Sequence, residues 1–225
     1  MKKMLALLLA LVMVLSLAAC ASSQPAAAST ETAETTETTE PAAEESAEAP
    51  AESGKTYTVG VCQLVQHEAL DAATQGFIDA LKEELGDAVT VDVQNASGDS
   101  VNCGTIVNGF VSKGVDLIMA NATPALTAAV SATADIPILG TSITAYGVAL
   151  DIDDFNGTVG GNVSGTSDLA DLQAQAQMIL DWFPETKTVG LLFCSAEPNS
   201  RYQIDEVRKA LEAQGVTCEE FAFTD

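Results

Sequence analysis

The chain has 225 residues, of which 32 are acidic, 9 are basic and one is a histidine, for a net charge of −23. A surface that negative disfavours nucleic acid and anionic lipid partners. One histidine and no CxxC spacing leave no zinc-binding pattern and no cofactor motif.

The N-terminus reads as an export signal. Lys2 and Lys3 precede an apolar run from Met4 to Leu17, and Ala18, Ala19 and Cys20 follow. About 14 apolar residues fall short of the roughly 20 that span a bilayer as a helix, and suit the core of a signal peptide. Leu17-Ala18-Ala19-Cys20 looks like a bacterial lipobox, which implies cleavage after residue 19 and acylation (palmitate-type chains) on Cys20. Stable anchoring takes more than one acyl chain, at about 0.8 kcal/mol per buried CH₂. Residues 21–54 are mostly Ala, Ser, Thr and Pro with eight Glu and no Lys or Arg. Such a segment lacks the apolar surface to offset ordering entropy and is expected to act as an acidic tether.

The expected folded head, 55–225, carries seven basic and 24 acidic residues. Tyr57 to Val65 reads as a buried strand. Leu70, Ala73, Phe77, Leu81 and Leu85 then recur at helical spacing. Val89, Val91 and Val93 mark a second strand, and Cys103, Ile106, Val107, Phe110 and Val111 a second helix stopped by Gly114. Val115 to Ala120 is a third strand. A helix from about Pro124 to Ala134 follows, and Ile136 to Leu139 is a fourth strand. Thr141 to Thr166 shows no period and is expected to be irregular. The pattern restarts with a helix through Leu169, Leu172, Ala176, Ile179, Leu180 and Phe183. A strand at Thr188–Phe193, a helix through Ile204, Val207 and Leu211, and a strand from Val216 complete the chain.

Apolar strands alternating with amphipathic helices predict an α/β fold with parallel sheets covered on both faces. The restart predicts two lobes: 55–145 as the first, 146–167 as hinge and crossover, 168–225 as a partial second lobe. Two strands do not make an independently stable sheet, so the chain reads as C-terminally truncated. Cys194 and Cys218 fall at opposite ends of neighbouring parallel strands, beyond disulfide reach, and are expected to be free. For Cys62 and Cys103 a disulfide and two buried thiols both remain open.

No GxGxxG, GxxxxGK[ST] or GxSxG motif occurs, so enzyme chemistry is not indicated. The strand-to-helix junctions instead carry hydroxyl, amide and acid residues. They are Gln66-His67, Ser97 to Ser100, Asn121 to Thr123, Thr141-Ser142, Ser167-Asp168, and Glu197 with Asn199 and Ser200. In parallel α/β lobes ligands bind beyond the carboxyl ends of the strands. Helix N-termini there suit a carboxylate, and Asp168 or Glu197 suits an amino group. The same residue types are also ordinary helix caps.

The segments VGVCQLVQHEALDAATQGFIDAL (59–81), GVDLIMANATPALTAA (114–129), IPILGTSIT (136–144), GNVSGTSDL (161–169) and FPETKTVGLLFCSAEPNSRYQIDEVRKALEAQG (183–215) resemble ABC-transporter substrate-binding proteins. The family concerned is the one that includes tryptophan- and tyrosine-binding lipoproteins. The resemblance implies a periplasmic-binding-protein-like, two-lobe venus-flytrap. It implies an amino-acid ligand, aromatic in class, delivered to a membrane permease from the outer face of the bacterial cytoplasmic membrane. It places ligand contacts on Gln66, His67, Ser97, Thr123, Thr141, Ser142, Ser167, Asp168, Glu197, Asn199 and Ser200, with no metal. A lipoprotein presenting solute to a receptor, or a non-functional remnant, are the alternatives left standing.

Overall fold

The computed structural model describes residues 54–224. The expected signal peptide, Cys20 and the tether up to residue 53 lie outside the described residues. Five strands form one parallel sheet in the order β2-β1-β3-β4-β5. They are β1 (Tyr57–Gln63), β2 (Val89–Asn95), β3 (Leu117–Asn121), β4 (Ile138–Ile143) and β5 (Val163–Ser167). The helices between them are α1 (Glu68–Leu85), α2 (Ser100–Lys113), α3 (Thr123–Ala132) and the short α4 (Tyr146–Ala149). The second lobe has α5 (Leu172–Trp182), β6 (Thr188–Cys194), α6 (Pro198–Glu212) and β7 (Thr217–Phe223), with β6 and β7 parallel.

Strand alternation assigns the two faces of the first sheet. Cys62, Ile118, Ala120 and Ile138 join Cys103, Val107, Phe110, Leu126 and Ala129 in one buried cluster, so this face lies under α2 and α3. At Gly60 a Cβ would lie 2.6 Å from Phe110 ring carbons. Glycine there lets α2 sit against β1. Gly114, at φ 64°, ends α2 in the left-handed conformation. The opposite face meets α1 through a polar chain. The Asn121 amide donates to the Leu70 carbonyl (2.8 Å) and Thr74 Oγ1 (2.9 Å). The Thr74 hydroxyl donates to Gln63 Oε1 (2.7 Å), and Gln63 Nε2 donates to Asp71 (2.6 Å).

In the second lobe α6 covers the β6–β7 face that carries Leu191, Phe193 and Glu220. Arg201 forms two 2.9 Å bonds to Glu220 and stacks 4.3 Å over Phe193, while Arg208 also pairs with Glu220. On the other face Leu192, Phe221 and Phe223 are 71%, 53% and 46% exposed.

The structure corrects the expectation of an irregular stretch at 141–166. Thr141 and Ser142 lie within β4 rather than at a junction after it. Residues 163–167, expected in the crossover, form β5 at the edge of the first sheet. Val163-Ser164-Gly165-Thr166-Ser167 has one apolar residue and a largely exposed burial pattern, so neither period shows in its sequence. The Tyr146 hydroxyl fastens β5 by donating to the Gly140 (3.0 Å) and Thr166 (3.3 Å) carbonyls. Burial pushes this phenol up to about 12, so it remains a neutral donor.

Candidate ligand-binding cleft

A cavity of about 710 Å³ opens where the two lobes face each other. The first lobe lines it with Ser97, Gly98, Asp99 and Ser100, and with Pro124 in the first turn of α3. The second lobe lines it with Leu192, Phe193, Cys194, Ala196, Glu197, Ser200, Phe223 and Thr224. These residues cluster at the carboxyl ends of strands and the amino ends of α2, α3 and α6. First-turn N–H groups there lack helical partners and carry partial positive charge.

Local chemistry sets the first-lobe wall. Asn95 Oδ1 accepts from the Ser97 N–H (2.8 Å), and the Leu64 carbonyl accepts from the Gly98 N–H (2.8 Å). Asp99 caps α2, its carboxylate accepting from the Val101 N–H at 2.7 Å. The backbone is strained at the ends of three successive strands. Ser97 (φ 57°) follows β2, Ala122 (φ 94°) follows β3, and Ser142 (φ 56°) lies in β4 beside the register shift with β5. At Ala122 ψ is 157°, a combination that glycine alone adopts comfortably. Strain of this kind concentrates where a fold positions ligands. Asn121 and Thr123 flank Ala122, are 0% and 2% exposed, and hold Oδ1 and Oγ1 atoms with no hydrogen-bond partner among the described residues.

In the second-lobe wall Glu197 precedes α6. Its carboxylate accepts from the Ser200 hydroxyl at 3.1 Å and, at a long 3.5 Å, from Asn199 Nδ2. Asn199 Oδ1 is buried without a partner among the described residues. Acid, hydroxyl and amide thus meet at the amino end of α6.

Of the eleven residues predicted from the sequence, the structure brings Ser97, Glu197 and Ser200 together in this cavity. Gln66 lines a neighbouring groove with Gln63, Asp71 and Ser97. Thr141 lines a separate 400 Å³ apolar cavity with Phe77, Met119 and Leu139, on the α1 face of the sheet. His67 is the cap of α1, its Nδ1 accepting from the Ala69 N–H at 3.2 Å. The Ser167 hydroxyl donates to the Thr144 carbonyl (2.9 Å) and accepts from the Leu169 N–H (3.2 Å). Asp168 is exposed just after β5, where its N–H bonds the Ile143 carbonyl (3.0 Å). Thr123, Ser142, Asp168 and Asn199 are not among the residues lining the cavity. Sequence reasoning missed Pro124, Leu192, Phe193, Cys194 and Phe223 as wall residues. An apolar residue at a strand end reads as core, and only the polar residues beside it signal a site. Among the described residues no group of three or more His, Cys, Asp or Glu is arranged to hold a metal. Among them, too, no helix is long and apolar enough to cross a membrane.

Residues 58–225 match the ABC transporter substrate binding protein family. A tyrosine-binding protein of Clostridioides difficile is 37% identical over 162 residues, which cover 69% of this chain and 46% of that protein. The crystal structure of an ABC domain from Streptococcus pneumonia in complex with L-Trp superposes with a TM-score of 0.70 at 37% identity. That match covers 75% of this chain and 58% of the other. A conserved domain protein from Vibrio cholerae gives 0.69 at 30% identity, with the same coverages. The chain spans about half the length of the curated relative it matches. With its parallel α/β lobes and a cavity at their strand ends, the chain belongs to the ABC transporter substrate binding protein family.

Proposed function

We propose that this protein is an extracytoplasmic lipoprotein that binds an aromatic amino acid, tryptophan or tyrosine, and delivers it to an ABC transporter permease. The observation that carries the reading is the composition of the cavity wall. Leu192 and Phe223, on the exposed face of β6–β7, offer an apolar surface for a ring, the amino ends of α2 and α3 suit a carboxylate, and Glu197 suits an ammonium group. Tyrosine and tryptophan named for the relatives fit that composition. Thr123 and Asn199, each with a buried unpartnered oxygen near the wall, are candidate further contacts once the lobes move. The proposed anchor is the acylated Cys20.

Calorimetry with L-tryptophan, L-tyrosine and indole-3-propionate tests the assignment, because the last compound keeps ring and carboxylate and lacks the amino group. A charged hydrogen bond is worth about 1.5–3 kcal/mol. Glu197→Gln is therefore expected to weaken L-tryptophan binding by about 10- to 150-fold and leave indole-3-propionate unchanged. Equal losses for both compounds would remove Glu197 from the ammonium role, and no binding of either amino acid would refute the ligand class. For the anchor, radiolabelled palmitate should incorporate into the wild type and not into Cys20→Ala.

A further inference from the structure

Cys62 and Cys103 are both 0% exposed and belong to the same buried cluster. Their proximity follows from the docking of α2 on β1. Gly60 sits under the Phe110 ring. Cys62 lies two residues further along β1 on the same face, roughly 7 Å toward the carboxyl end of the strand. Cys103 lies seven residues before Phe110, two helical turns back on the same side of α2 and roughly 10 Å toward the same end. The two thiols consequently meet. Each thiol is the main influence on the other, Cys62 being raised and Cys103 lowered by its neighbour. Above this pair the Cys103 N–H bonds the Asp99 carbonyl (3.2 Å), and Asp99 and Ser100 line the cleft.

We infer that Cys62 and Cys103 are a disulfide-forming pair that, outside the cytoplasm, staples β1 to the first turn of α2 behind the ligand cavity. The location is taken from the proposed function; the pairing is not. The oxidant is a disulfide, with oxidised glutathione as the representative. While the chain is still folding, or when α2 opens locally, the Cys103 thiolate attacks one glutathione sulfur and releases the first glutathione thiolate. Cys62 then attacks the Cys103 sulfur of the mixed disulfide and releases the second. One S–S bond breaks, one forms, and the two protons lost by the protein end on two glutathione molecules. Cys194 and Cys218 do not compete with each other. Cys194 pairs in register with Phe223, and Cys218 with Val189, five residues down the sheet.

The test uses the full chain, without ligand. It is incubated natively, and separately refolded from denaturant, across a series of oxidised-to-reduced glutathione ratios, then alkylated and digested with trypsin. Cys62 falls in Thr56–Lys82, Cys103 in Glu83–Lys113, and Cys194 and Cys218 in two other peptides. The expected result is a linked Thr56–Lys82/Glu83–Lys113 pair, two hydrogens lighter than the sum, while the Cys194 and Cys218 peptides stay alkylated. Recovery of all four peptides unlinked across the series, by both routes, overturns the pairing. The oxidised form should also melt several degrees above the reduced form, and Cys103→Ser should abolish that difference. A linked pair that leaves the melting temperature unchanged overturns the staple. None of these outcomes depends on which solute the cleft binds.

Discussion

Replacing Gly60 by alanine puts a methyl group where the Phe110 ring already is. The added carbon would lie 2.6, 2.6 and 2.9 Å from three ring atoms, against an optimum of roughly 3.5–4.0 Å. The ring must retreat by about 1 Å. Phe110 is 1% exposed within the main cluster, and its carbonyl accepts from the Val115 N–H at the turn that leads into β3. A retreat therefore lifts α2 from the sheet rather than rotating a free side chain. Overpacking of this kind costs about 1–3 kcal/mol. At about 2–4 °C per kcal/mol, the melting temperature should fall by roughly 2–12 °C. The diagnostic measurement is a double-mutant cycle by urea denaturation followed by circular dichroism. Phe110→Leu alone leaves a void, and Gly60→Ala alone creates a clash, whereas together the new methyl occupies part of the vacated space. The double variant should be more stable than the sum of the single losses predicts, by about 1 kcal/mol or more. Additivity within about 0.5 kcal/mol would refute the claim that contact between these two positions sets the height of α2.

Three further substitutions probe the cleft and the surface. Ala122→Gly relieves about 1–3 kcal/mol of backbone strain and concedes about 0.4–1 kcal/mol of unfolded-state entropy, so chemical denaturation should show a net gain of up to about 2.6 kcal/mol. Asp99→Ala removes the cap of α2 and should cost about 1 kcal/mol, with faster hydrogen exchange confined to the first turn of α2. At the surface, the Lys113 ammonium 2.6 Å from Asp92, helped by Gln94, holds the Asp92 carboxyl below the usual carboxylate range. The resulting stability is present above the ordinary carboxylate pKa of about 3.9 and is lost as pH falls through the lowered folded value. Both groups are solvent-accessible, so the gain is under about 1 kcal/mol. Wild type should exceed Asp92→Asn by a constant small margin above about pH 5, and the two should converge in acid.

The architecture was legible wherever burial imposed a period. The apolar runs that became β1 and β3 stood out because both faces of those strands are covered, and β6 stood out by its apolar run although only its α6 face is buried. The helices stood out through stripes such as Cys103, Val107 and Phe110. The edge was not legible. β5 packs mainly through Val163 and is otherwise exposed, so hydrophobicity carried no sign of its pairing with β4. All four cysteines of the described residues are free thiols in this structure; strand register alone separates Cys194 from Cys218, whereas the proximity of Cys62 and Cys103 turns on helix docking, which sequence spacing does not report. The cleft was partly legible. Polar junctions pointed to the carboxyl ends of the strands, and of the residues they named Ser97, Glu197 and Ser200 line one cavity there. His67 and Asp99 show that residue type alone does not separate a helix cap from a cavity residue. Both are caps, and only Asp99 also faces the cavity.

The position of Cys194 makes the protein a ready-made optical reporter. It is a free, partly accessible thiol in the cleft wall, while Cys62 and Cys103 are sealed in the core. The remaining head thiol, Cys218, is raised by burial and by Glu212, which leaves it less of the reactive thiolate. With Cys20 acylated or replaced, a maleimide dye at neutral pH should attach first at Cys194. Under the proposed function, solute capture would then be read as a change in fluorescence, with no engineered cysteine.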